Sequence, residues 1–160
     1  MLCTAALILS LTGACPPTEI VRIDNTSVIS HEPFYAGLVA DARRLRQETG
    51  TFATKPSVAL LRKGAFKAYA RDIRALSEGD LKGHLDLRAR GTDNDLKCIL
   101  KGVSLDLPNK LNDIEAAKSD ADLATALSNM SALLSDNIDV IVTPETADSG
   151  LDCVIEFGNS

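Results

Sequence analysis

Pro56–Ser77 reads PSVALLRKGAFKAYARDIRALS. Val58, Leu61, Ala65, Tyr69, Ile73 and Leu76 recur in steps of three and four. At 3.6 residues per turn that spacing lines one side of an α-helix. Lys63, Lys67, Arg71 and Arg74 fall on the opposite side. The stretch therefore predicts an amphipathic, core-facing helix with a basic outer face. Pro56 suits its first turn, and Gly79 lies just beyond its end.

A helix with such a stripe needs others to cover it, and the flanking sequence supplies them. Upstream, Tyr35, Leu38, Ala42 and Leu45 predict a helix over roughly 32–48, with Ser30 as N-cap, Pro33 in the first turn and Gly50 as the stop. Downstream, 80–91 reads two ways. Leu81, Leu85 and Ala89 fit a short helix, while His84–Ala89 alternates like a strand; Gly79, Gly83 and Gly91 punctuate it, which favours a short helix or an irregular connection. Thr92 or Asp93 then caps a helix whose Leu96, Ile99, Leu100, Val103, Leu107, Leu111 and Ile114 keep phase across Pro108. Such a stripe predicts either one kinked helix or two joined tightly near Asp106. Ser119–Asp122 places a cap and acids before Leu123, Leu127, Met130, Leu134, Ile138 and Ile141, and Pro144 ends that last helix. Residues 153–157 fit a short strand or strap. The predicted fold class is all-α, an antiparallel helical bundle of about four main helices with a short C-terminal strand or strap. With no tryptophan and few aromatics, its core is largely aliphatic.

The N-terminus speaks to address. Ala5–Leu11 is apolar and is followed by Thr12, Gly13, Ala14 and Cys15. The run is too short to cross a bilayer, which takes about 20 residues, but it matches the apolar region of a signal peptide. Leu11-Thr12-Gly13-Ala14-Cys15 resembles a bacterial lipobox. That resemblance implies export, cleavage before Cys15 and acylation of its thiol. Thr12 stands where the lipobox usually has leucine, and no lysine or arginine precedes the apolar run. The competing reading is a buried N-terminal strand or helix of a cytosolic protein. The expected organisation is a signal peptide over 1–14, an anchor and tether over 15–30, and a helical domain over 31–160. The 146 residues from Cys15 onward are enough to bury about two-thirds of their unfolded surface.

Cysteine counting fits this address. Cys3 leaves with the signal and Cys15 carries lipid, so Cys98 and Cys153 remain as an even pair. An oxidising compartment favours joining them. A disulfide across that separation would stabilise by about 4 kcal/mol on the chain-entropy model. The alternative is two buried free thiols acting as small hydrophobes.

The net charge of −5 is unevenly spread. Between Asp41 and Arg74 nine basic and three acidic residues balance at +6, whereas Lys101–Ser160 holds three basic and eleven acidic, a balance of −8. Either basic and acidic helices lie side by side and neutralise each other, which is the simpler account, or a basic surface faces an anionic partner. Arg62, Lys63, Lys67, Arg71 and Arg74 are the candidate partner-binding patch. Aromatic residues for base stacking are not interleaved there, which argues against nucleic acid.

Catalytic and metal motifs are not found. The two histidines, His31 and His84, have no ligand spacing, and no haem-attachment, di-iron, nucleophile-elbow or P-loop pattern occurs. Asp93-Asn94-Asp95 starts like a calcium loop, but Lys97 occupies the next ligand position. The sequons at Asn25 and Asn129 carry no meaning in a bacterial protein. The sequence thus assigns no catalytic residue, metal or cofactor. It points to an exported, lipid-anchored envelope protein, a non-enzymatic binding or scaffolding module. Its partners would be the membrane through the N-terminal lipid, and an envelope protein or an anionic envelope component. The alternatives are a secreted, non-lipidated ligand carrier, and a hydrolase or transferase with a site near His84 that uses Asp80 and Asp86.

Overall fold

A computed structural model of the chain describes residues 28–91 and 94–143. The signal segment, Cys15, most of the tether, the candidate caps Thr92 and Asp93, and the C-terminal segment with Cys153 lie outside the described residues. Among those described, four helices form an antiparallel all-α bundle: α1 (Pro33–Ala53), α2 (Gly64–Arg90), α3 (Asn94–Glu115) and α4 (Asp120–Val142). Short 3-10 turns precede α1 at Val28–His31 and α2 at Val58–Arg62. Each helix packs on the next, and α4 closes the ring against α1, so α2 and α4 stand on a diagonal.

The predicted stripes meet in the centre. Tyr35, Leu45, Tyr69, Ile73, Leu87, Leu100, Leu107, Leu111, Leu127 and Leu134 are fully buried. Burial of each such side chain stabilises the fold by about 1.5–3 kcal/mol before the cost of ordering it. Buried hydroxyls find partners within this core. Thr49 donates to the Leu45 carbonyl at 2.8 Å, which leaves the Tyr69 hydroxyl to donate to Thr49 at 2.7 Å.

Two boundaries differ from the sequence reading. α1 runs through Gly50 to Ala53, and its N-cap position is Glu32, without a side-chain cap. The α-helix predicted from Pro56 begins instead at Gly64, after the 3-10 turn. In its first turn Phe66 rather than Ala65 joins the buried Tyr69, Ile73 and Leu76, and Val58 and Leu61 are half-buried on the 3-10 turn. α2 then continues through the whole stretch read as a short helix or connection.

Its glycines are contacts rather than breaks. A Cβ at Gly79 would stand 2.6 Å from Leu38 Cδ2, and one at Gly83 would stand 3.1 Å from Leu100 Cδ1 and 3.3 Å from Tyr35. Only Gly91, at φ 64°, takes the left-handed conformation that ends the helix.

α3 is a single helix through Pro108. Proline has no N–H to offer the Ser104 carbonyl, four residues back. The Ser77 hydroxyl of α2 donates to that carbonyl instead, at 2.6 Å. α4 starts as predicted, with a capping box. Asp122 N–H donates to Ser119 Oγ at 3.1 Å, and Ser119 N–H donates to Asp122 Oδ2 at 3.2 Å.

Candidate functional site

Two surfaces on α2 carry the charged groups of interest. The first is the predicted basic patch. Arg62 closes the 3-10 turn, Lys63 is the N-cap residue of α2, and Lys67, Arg71 and Arg74 follow on the helix. All five are exposed. Helical spacing therefore does bring Lys67, Arg71 and Arg74 to one side, as read. Two of the five are engaged by carboxylates. Arg71 meets Asp72 at 2.9 Å and holds that carboxyl below its usual range, and Arg74 reaches across to Glu115 on α3 at 3.0 Å. Both pairs are exposed, where an ion pair contributes at most about 1 kcal/mol.

The second surface lies where the end of α2 meets the start of α1. A shallow pocket of about 230 Å³ is lined by Phe34, Lys82, Asp86 and Arg90. Arg90 clasps both Glu32 oxygens at 2.8 and 2.9 Å and also meets Asp86 at 2.8 Å. The Tyr35 hydroxyl donates to Asp86 Oδ2 at 2.8 Å. Burial of Tyr35 and that acceptor push its phenol well above the usual range, so it stays protonated. The Arg90 hydrogen bonds hold the Glu32 carboxyl low. Sequence reading did not single out this cluster, because it depends on α2 reaching Arg90 beside α1.

Of the residues of the hydrolase alternative, Asp80 and His84 turn inward one turn apart on α2, and Asp86 faces the surface. His84 is buried, with Nδ1 at 2.7 Å from the Lys97 carbonyl oxygen. Asp86 belongs to the surface pocket. Asp80 is fully buried and accepts from Asn137 Nδ2 on α4 at 2.8 Å, across the diagonal. Its Oδ1 and Asn137 Oδ1 have no partner among the described residues. Burial pushes the Asp80 carboxyl up to about 7. The pocket that Asp86 lines includes neither His84 nor Asp80.

Cys98 is half-buried on α3, and its predicted partner Cys153 lies outside the described residues. Among the described residues no group of three or more His, Cys, Asp or Glu is placed to hold a metal ion. Among them also, no helix is long and apolar enough to cross a membrane.

Sequence reading missed Leu81 and Leu85 as surface residues. It placed them on an apolar stripe, but the continuous phase of α2 turns Asp80, Gly83, His84 and Leu87 inward. Leu81 and Leu85 are 43% and 51% exposed. No protein-family model, curated protein or solved structure matches this chain.

Proposed function

We propose that this chain is an exported, lipid-anchored bacterial envelope protein whose bundle binds or scaffolds another envelope component without catalysing a reaction. The carrying observation is the apolar run that closes in Leu11-Thr12-Gly13-Ala14-Cys15, ahead of a bundle that packs its own core. The bundle gives the anchor a rigid body to hold at the membrane, and the basic patch gives that body a charged contact surface. Cys98 and Cys153 belong to the same reading as a structural disulfide that fastens the C-terminal segment to α3.

Replacement of the anchoring thiol tests the proposal. In its own host, the native chain is expected in the membrane fraction and Cys15→Ser in the soluble exported fraction. Membrane retention of Cys15→Ser equal to that of the native chain would overturn the anchor.

A further inference from the structure

The outward side of α2 carries more than the predicted patch. Lys67, Arg71, Arg74, Lys82 and Arg88 lie along it at helical spacing, and all are exposed. Glu78 is the one acid among them. Arg71 and Arg74 are paired, with Asp72 and with Glu115 of α3, and the remaining carboxylates of α2 turn away from the face. Asp80 is buried, Asp86 binds Tyr35 of α1, and Asp72 is shared between Arg71 and Arg44 of α1. Lys67, Lys82 and Arg88 make no ion pair among the described residues.

Opposite charge sits across the diagonal. α4 carries Asp120, Asp122, Asp136 and Asp139, with no lysine or arginine. The bundle is thus electrically polar, basic along α2 and acidic along α4. Beside Lys82 and Arg88, the exposed Leu81 and Leu85 are one turn apart on the same side. A cluster of lysines and arginines along a helix attracts anionic headgroups, and the two exposed leucines add apolar surface to the same side.

The position of the face also fits. The Glu32–Arg90 clasp puts the end of α2 beside the start of α1. Twelve residues separate Cys15 from Val28, an extended reach of at most about 40 Å. A bilayer holding Cys15 therefore lies within reach of α2, itself about 40 Å long.

We propose that the outward side of α2 docks on an anionic lipid bilayer. Lys67, Lys82 and Arg88 would face headgroup phosphates, with the paired Arg71 and Arg74 beside them, and Leu81 and Leu85 would enter the interface. This deepens the anchored reading and rests on it, because Cys15 is what brings the face to a bilayer.

The chain has no tryptophan, so Leu85→Trp reports this position alone. The probe is the full chain with Cys15→Ser, which carries no acyl group, mixed with vesicles of phosphatidylcholine with or without phosphatidylglycerol. With phosphatidylglycerol present, the emission is expected to shift to the blue and to be quenched by brominated acyl chains. Lys82→Glu with Arg88→Glu, checked for folding by circular dichroism, should weaken that response by more than about tenfold. No response on either vesicle, or an equal response on pure phosphatidylcholine, would overturn the proposal. A response to polyglutamate matching that to phosphatidylglycerol would also overturn it and assign the face to an acidic protein. None of these outcomes bears on the anchor, which is read from membrane retention of the native chain.

Discussion

Asp80 is the residue whose chemistry departs furthest from its surface behaviour. It is fully buried, it receives one hydrogen bond, and its second oxygen has no partner among the described residues. An ionised carboxylate there is costly, whereas a protonated one is not. Folded Asp80 holds its proton up to about pH 7, against 3.8 for an ordinary aspartate. Between those values the folded state binds more protons than the unfolded one, so stability falls as pH rises. The contribution is full below about pH 4 and is lost through about pH 7, on the order of 4 kcal/mol at most. Asp80→Asn resembles the protonated acid in shape and removes the titration. Urea unfolding at pH 4.5, 6 and 8 should show the native chain weakening relative to Asp80→Asn with rising pH. Parallel pH curves for the two would contradict the assignment. His84, one turn along α2, and Asn137 are unchanged in this comparison. Nothing in the sequence singled out Asp80 as buried, because its placement depends on Asn137, 57 positions away.

At the level of elements, the apolar stripes were legible and the glycines were not. Leu96 to Ile114 and Leu123 to Ile141 keep their phase in sequence and are buried as read, except Ile99, which is half-buried at the edge of the core. Gly79 and Gly83 look like helix breakers in a single sequence. Their reason for being small is Leu38, Leu100 and Tyr35, residues on other helices that no local pattern reveals. The same misreading cut α2 short and hid Leu81, Lys82, Leu85 and Arg88 as one surface. Pro108 raised the correct alternatives, and Ser77 explains which one holds. Ser77→Ala removes the donor to the Ser104 carbonyl and should destabilise the bundle by about 1–2 kcal/mol. Restoring a backbone N–H with Pro108→Ala should recover most of that loss. A double-mutant cycle by urea unfolding checks this. Simple additivity of the two changes would mean that the serine does not stand in for the missing N–H.

On the scale of the whole molecule, the account joins an address to a charge pattern. The simpler reading of the uneven charge had basic and acidic helices lying side by side. That holds for α2 beside α3, where Arg74 meets Glu115 at 3.0 Å. It does not hold between α2 and α4, which stand on a diagonal, and Lys67, Lys82 and Arg88 stay on the outside without an ion-pair partner among the described residues. Topology decides that separation, and a chain read one helix at a time does not show it. The function proposed for this polar bundle stands on Cys15 as its attachment. The most direct test is the intact, non-reduced mass of the protein purified from membranes of its own host. The account predicts the mass of residues 15–160 plus a diacylglyceryl group and an N-terminal acyl chain, less two hydrogens for a Cys98–Cys153 bond. The mass of the full 160-residue chain with free thiols would contradict it.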